Sequence, residues 1–325
     1  MTHRSYLIFC LFIGLSVVLL GAYTRLTHSG LGCPDWPGCY GQLTVPETPE
    51  ALAQAKAQFP TETIEPAKAW PEMIHRYLAG SFALLLVGLI IYGWIKAPQQ
   101  KRWPYSLLAL ILVFQALLGK WTVTWKLHPM AVMPHLLGGM TLVVLLWVLF
   151  LNQSNGAKVA TTRSQHNWLL ALTILTVGQI FIGGWTSSNY AALICPDFPF
   201  CQGQWLPQMD FQSGFNFTLP IGANYEGGLL STSARTAIHV THRFLALIIL
   251  CVSVPLFTIY YQRLTAIRKP LLISAGLLTI QIILGIINVV HQLPLSVATL
   301  HNGTALLFLL SLVNLISRCA PCPRS

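Results

Sequence analysis

Charge is what this chain has least of. Charged residues make up 9% of its 325 positions, against roughly 25% in an ordinary soluble domain, while 54% are hydrophobic. That balance excludes a solvated globular domain and reads as an integral membrane protein. Acids are scarcer still, with 9 Asp and Glu against 19 Lys and Arg. The resulting charge of +10 is not a nucleic-acid footprint, because the basic residues are scattered over short connections instead of forming one patch. No nucleic-acid partner is expected; membrane lipid is.

A transmembrane helix needs ~20 apolar residues. Runs of that kind lie near 5–25, 74–95, 104–124, 132–151, 167–187, 238–261, 270–290 and 297–317, which predicts eight spans. Arg4, Lys96, Lys101, Arg102, Lys158, Arg163, Arg263, Arg268, Lys269, Arg318 and Arg324 fall at the termini or in the even-numbered connections. The acids Asp35, Glu47, Glu50, Glu62, Glu65, Glu72, Asp197, Asp210 and Glu226 fall in or beside the others. By the positive-inside rule both termini are then cytoplasmic. The first span, preceded by Arg4, has the look of a secretory signal. Its counterpart at 167–187 cannot be one, so it is expected to be retained.

Sliding the sequence on itself reveals a repeat. Gly21-Ala22-Tyr23-Thr24 aligns with Gly183-Gly184-Trp185-Thr186, and at the same offset Cys33-Pro34-Asp35-Trp36-Pro37-Gly38-Cys39 aligns with Cys195-Pro196-Asp197-Phe198-Pro199-Phe200-Cys201. His75-Arg76 matches His242-Arg243, Gln115 and Gly119 match Gln281 and Gly285, and His135 matches His301. The expected fold is therefore all-α, with eight transmembrane helices arranged as two tandem, duplicated four-helix bundles. Their bounds are 1–151 and 167–325, joined by a Ser-, Asn-, Gly- and Lys-containing cytoplasmic linker at 152–166. An even number of spans per half makes the repeats parallel. Within the long outer loops, Pro49 to Gln58 reads as a short surface helix and Gly214 to Gly228 as irregular.

Four of the 10 histidines occupy duplicated positions: His75, His135, His242 and His301. Given the topology, each begins an even-numbered span and all stand at one depth. One histidine on the second helix and one on the fourth of each bundle is a geometry for holding a planar macrocycle by axial imidazole ligation. The plainer alternative is interhelical hydrogen bonding. Zinc fits less well, since two histidines supply half its usual ligands. His3, His28, His128, His166 and His291 lack duplicated partners and read as interfacial. Glu72 lies three residues before His75, so both point the same way on a helix, whereas His239 stands in its place in the second half.

Arg25, Arg76 and Arg243 lie where a guanidinium could grip haem propionates, or simply snorkel to headgroups. Cys33 with Cys39, and Cys195 with Cys201, share outer loops that face an oxidising compartment outside a bacterial inner membrane. Each pair can close as a disulfide, either a staple on a loop without a core of its own or a redox-active pair near a haem edge. Cys10 and Cys251 read as small apolar residues, and Cys319 with Cys322 as a weak CxxC.

Taken together, GAYTRLTHSGLGCPDWPGCYG after the first span, EMIHR opening the second, His135 opening the fourth and the degenerate copy with His242 and His301 make the chain resemble a haem A synthase, in the bacterial form that keeps cysteine pairs in both outer loops. The resemblance implies oxidation of the C8 methyl of haem O to a formyl group by successive hydroxylations, giving haem A for cytochrome oxidase, with water as the oxygen source. It implies haem O between His75 and His135, haem b as cofactor between His242 and His301, delivery by a haem O synthase, an unidentified electron acceptor, and a multi-pass place in the bacterial inner membrane. The residues themselves agree on which half reacts, since oxidising a methyl needs a proton acceptor and Glu72 belongs to the first bundle alone. Competing readings are a two-haem b-type cytochrome exchanging electrons with quinone, a quinone-linked thiol oxidase, and, less well supported, a transporter with parallel repeats.

Overall fold

The structure, a computed structural model, describes residues 2–153 and 158–321. Residues 154–157 of the expected linker, and Cys322 and Arg324 of the expected tail, lie outside the described residues. In chain order the described elements are α1 (His3–Leu26), α2 (Pro49–Gln58), α3 (Pro66–Lys96), α4 (Trp103–Thr124), α5 (Pro129–Leu151), β1 (Val159–Thr161), α6 (Arg163–Ser188), α7 (Phe211–Gly214), α8 (Thr232–Arg263), α9 (Arg268–Val290), α10 (Leu295–Arg318) and β2 (Cys319–Pro321). Among the described residues, eight of these helices are long and apolar enough to cross a membrane. The chain is a multi-pass membrane protein, because a helix satisfies its own backbone where no water can.

Starts and stops follow local chemistry. Thr162 and Gln165 form a reciprocal capping box at α6, Ser231 caps α8 through the N–H of Ala234, and Thr48 caps the short α2, which carries Pro49 in its first turn. Two helices start well before their apolar runs. Helix α3 begins at Pro66 and α8 at Thr232, so Glu72 and His75 sit within a helix and not at its mouth. Hydropathy detects only the lipid-facing part of such a helix.

The chain forms two compact units. One comprises Ile8–Leu145 with Phe217–Leu229; the other comprises Thr2–Leu7, Leu146–Asn216 and Leu230 onward. In the first, α1 meets α3 and α5 where Gly14 faces Phe82 and Val143, and α3 meets α4 where Gly93 faces Tyr105. In the second, Leu169, Leu172, Ile249, Phe257, Tyr260, Leu278, Phe308 and Leu312 form one apolar core among α6, α8, α9 and α10. There β1 and β2 pair in parallel, Val159 opposite Cys319, and burial raises the Cys319 thiol above its ordinary value.

Segment 217–229 belongs to the first unit because of one corner. The Tyr225 N–H donates to the Lys126 carbonyl at 3.0 Å, and the Tyr225 ring lies 4.9 Å from that of His128. His128, only 3% exposed, accepts the Met130 N–H at Nδ1 and donates from Nε2 to the Leu219 carbonyl. Those roles fix one neutral tautomer.

Both cysteine pairs are disulfides, Cys33–Cys39 and Cys195–Cys201. The loops they close are built alike. Asp35 accepts the N–H groups of Tyr40 and Gly41, and Asp197 those of Gln202 and Gly203, which holds the Asp197 carboxyl below its ordinary value. Gly41 and Gly203 turn with φ of +75° and +73°, a conformation that favours glycine. Unlike the coreless loop expected from sequence, the first one has a core of its own: Cys33, Cys39, Tyr40, Val45, Ala55, Ala69 and Met73, with Phe59, Ile64 and Trp70 against it. Tyr40 also donates to the Thr63 carbonyl at 2.9 Å, and burial followed by nearby acids raises its phenol.

Tyr40→Ala is expected to weaken this outer core by about 3–5 kcal/mol, and Tyr40→Phe, which loses only the bond to Thr63, by about 1 kcal/mol. Protease cleavage of segment 42–63 in micelles should therefore rise in the order wild type, Tyr40→Phe, Tyr40→Ala; equal protection in all three would show that the ring does not hold the loop.

Candidate functional site

The site of the first unit is assembled on α3. Glu72 is 5% exposed and makes an ion pair with Arg76 one turn on, Nη2 to Oε1 at 2.5 Å. Its Oε2 accepts the Cys33 N–H at 2.9 Å. The other terminal nitrogen of Arg76 donates to the carbonyls of Asp35, at 2.9 Å, and Gly38. Helix, disulfide loop and buried carboxylate are thus one hydrogen-bonded object, as a buried ion pair requires. Thr24 adds a bond from α1 to the Pro71 carbonyl at 3.2 Å, next to Glu72.

The second unit repeats the frame without the acid. Arg243 donates to the carbonyls of Phe200 at 2.7 Å and Cys195 at 3.0 Å, and from Nε to His239 Nε2 at 3.0 Å. His239 Nδ1 contacts the Ala191 carbonyl at 2.9 Å. An imidazole that accepts from arginine on one nitrogen must donate on the other, so His239 is neutral and fully engaged.

The four repeated histidines share a single mode of packing. His75 on α3 faces Gly21 on α1, His135 on α5 faces Gly119 on α4, His242 on α8 faces Gly183 on α6, and His301 on α10 faces Gly285 on α9. A Cβ at these glycines would lie 2.9, 3.1, 3.1 and 3.2 Å from the respective Cε1 atoms. Each imidazole is therefore seated on bare backbone. Each also keeps a buried Nδ1 with no hydrogen-bond partner, an expensive state unless something else binds there. The rings of His242 and His301 stand 6.5 Å apart at 69°. A metal–imidazole bond is about 2.0–2.1 Å, so two rings sharing one metal have centroids ~6 Å apart. The described residues contain no group of three or more metal-ligating side chains; the second unit offers two neighbouring imidazoles, and the first carries His75 on α3 and His135 on α5. That donor set fits a haem, whose macrocycle supplies the other ligands.

The model of the COX15-CtaA family, cytochrome oxidase assembly protein, matches residues 4–313. The chain belongs to this family. Its relatives include the "Heme A synthase" of Shewanella oneidensis, 44% identical over 308 residues that cover 93% of this chain and 92% of that protein. The "Heme A synthase" of Halalkalibacterium halodurans is 29% identical over 66% of this chain and 70% of its own, and that of Neorickettsia sennetsu is 24% identical over 95% and 96%.

In this member of the COX15-CtaA family, the residues singled out from sequence fall into two groups. Glu72, His75, Arg76, His135, Cys33 and Cys39 lie in the first unit, and His242, Arg243, His301, Cys195 and Cys201 in the second. Arg25 lies in the last turn of α1, one turn beyond Gly21. Arg76 and Arg243, which sequence offered to propionates, have the donors described above on loop carbonyls. Comparison of the two halves paired Gln115 with Gln281, but it assigned neither a role and missed Gln179. Gln115 donates to the His135 carbonyl at 2.7 Å, Gln179 to the His242 carbonyl at 3.0 Å, and the Gln281 amide lies 3.2 Å from His301 Nε2. The overlooked signal is Q-x-x-x-G, with each glutamine one turn before the glycine that seats its histidine.

Gly21→Val is expected to push His75 off its seat at a cost on the order of 1–3 kcal/mol, lowering haem retention in the first unit about tenfold or more at the midpoint of that range. Gly80 on α3, with nothing within 4 Å of an added Cβ, is the control. Haem content by pyridine haemochrome, compared for Gly21→Val and Gly80→Ala, checks it, and equal content would remove the seat from the argument.

Proposed function

We propose that the protein is a haem A synthase, which oxidises the C8 methyl of haem O to a formyl group by successive hydroxylations and so provides haem A for cytochrome oxidase. The observation that carries this reading is the buried Glu72 one turn from His75, set against His239 at the matching place near His242. The names of the relatives support it. His75 and His135 hold haem O as substrate in the first bundle; His242 and His301 hold haem b in the second. The two bundles are a tandem duplication, 1–151 and 167–325 around the linker 152–166, in the bacterial inner membrane with both termini cytoplasmic. Haem O comes from a membrane-bound haem O synthase, and the electrons leave to an acceptor whose identity is open.

Taking a methyl to a formyl group with water as oxygen source releases protons and electrons in equal number. Bound haem b supplies a one-electron relay. Glu72 takes the protons: its oxygens, oriented by Cys33 N–H and Arg76, keep further lone pairs, and a carboxylate at i−3 from His75 shares its helix face. Arg76 holds that carboxylate to the disulfide loop, so that the base stays aimed while the substrate changes. His239, engaged on both nitrogens, has no such free position, which suits a half that binds and does not react. The Cys33–Cys39 loop covers the acid and limits water around it, where a preorganised charge acts most strongly.

Glu72→Gln preserves shape but cannot accept a proton. Haem O is expected to be retained while haem A formation falls about 10²–10⁴-fold, read by extracting and chromatographing the haems of the purified protein. Wild-type haem A yield would remove Glu72 from the chemistry, and haem b alone under every condition would favour a two-haem electron carrier.

A further inference from the structure

Each disulfide loop ends in a tight turn with large apolar side chains pointing away from the protein. Cys39 and Gln42 exchange backbone hydrogen bonds, as do Cys201 and Gln204. The next residue is Leu43 in one loop and Trp205 in the other, the same place in the repeat. Leu43 is 85% exposed, Trp205 71%, and Leu206 beside it 81%. Singly exposed apolar side chains are ordinary on a protein surface. Here they recur at one position of two rigid turns, where the chain cannot fold them away.

Both turns are tied to the apolar surface of a span. On α3 the exposed Tyr77, Leu84, Ile91 and Ile95 share one face, and on α8 so do Phe244, Leu247, Val254 and Tyr261. An exposed apolar stripe on a membrane-spanning helix faces lipid. Tyr77 heads the first stripe, and its hydroxyl donates to the Leu43 carbonyl at 2.6 Å. Phe244 heads the second. Its neighbour Arg243 donates to the Phe200 carbonyl at 2.7 Å, and the Phe200 ring packs edge-on against that of Trp205 at 4.5 Å. From the first cysteine to the tip, residues 33–43 and 195–206, neither loop carries Lys or Arg. The carboxylates of Asp35 and Asp197 there accept N–H groups of their own turns.

We infer that the two disulfide turns dip into the bilayer, seating Leu43 in one unit and Trp205 with Leu206 in the other at the boundary between headgroups and acyl chains. Continuity with the lipid-facing stripes of α3 and α8 makes lipid the occupant of this surface. Without a cation at either tip the attraction is apolar area and not headgroup charge, and tryptophan and tyrosine are the side chains favoured at that depth. The first turn has a further consequence. Arg76 holds the Asp35 and Gly38 carbonyls of the same loop, and Glu72 holds its Cys33 N–H. The bilayer thus anchors from outside the loop that the buried ion pair anchors from within.

The test is photolabelling of the purified full-length protein in phosphatidylcholine nanodiscs, with a diazirine phospholipid reactive either near its headgroup or at its acyl end and the labelled residues mapped by mass spectrometry. The headgroup-proximal probe should mark Leu43, Trp205 and Leu206, and the acyl-end probe Leu84 on α3, while Glu50, exposed on α2, should stay unmarked by both. Leu43→Ser, and separately Trp205→Ser with Leu206→Ser, should lower labelling of their own turn about tenfold, the partition penalty of one large apolar side chain, and leave the other turn as it was. These side chains are exposed, so their loss removes no core and the variants fold. Turns unmarked by the headgroup-proximal probe while Leu84 is marked would overturn the inference, and so would labelling of the turns that requires anionic lipid. Loss of label from Leu84 as well would overturn the reading of α3 as a span.

Discussion

The buried ion pair of Glu72 and Arg76 is the constraint from which the first unit follows. A carboxylate and a guanidinium withdrawn from water beside apolar spans are tolerable only when paired and when their remaining donors and acceptors are met. Arg76 meets that condition with carbonyls of the Cys33–Cys39 loop, and Glu72 with the N–H of Cys33. The disulfide and the Asp35 turn shape the loop so that those carbonyls point inward. The outer core around Tyr40 holds the loop in place. Disturbing any of these parts disturbs the aim of the acid, and the same frame around Arg243 survives in the second unit with a neutral imidazole in the acid's place.

A second constraint, steric instead of electrostatic, sets the histidines. Lipid offers helices little hydrophobic reason to associate, so close approach over small residues carries much of their packing. Gly21, Gly119, Gly183 and Gly285 each bring a helix backbone against an imidazole edge. The arrangement fixes ring orientation without using a ring nitrogen, which leaves both nitrogens for other partners. The glutamines one turn earlier add a polar contact at three of the four positions, and the residue at the corresponding place before Gly21 is Val17.

Much of this was legible in the chain before folding. The eight spans, the paired cysteines and the four repeated histidines follow from hydropathy and from self-similarity, both of which are local or positional properties. Even the short helix from Pro49 to Gln58 was readable from its alanines and its starting proline. The helical extensions at Pro66 and Thr232 were not, because residues beyond the lipid carry no apolar signal. Nor was the parallel pairing of β1 with β2, which joins the expected linker to the residues that follow α10.

What the sequence determined by itself, then, is which residue types stand where along the chain: an acid beside His75, a histidine beside His242, Q-x-x-x-G before three of the histidines. Tertiary structure alone decided their partners. Arg76 could have served a propionate as well as a peptide carbonyl by residue type, and only the closing of a loop some 40 residues away in sequence, where Cys33 N–H meets Glu72 at |i−j| of 39, brought the carbonyls to it. The same holds for Tyr225 on Lys126 and for Gln281 on His301. Hydrogen bonds are short and directional, so whether two groups share one is settled by the path of the backbone between them and not by their identities.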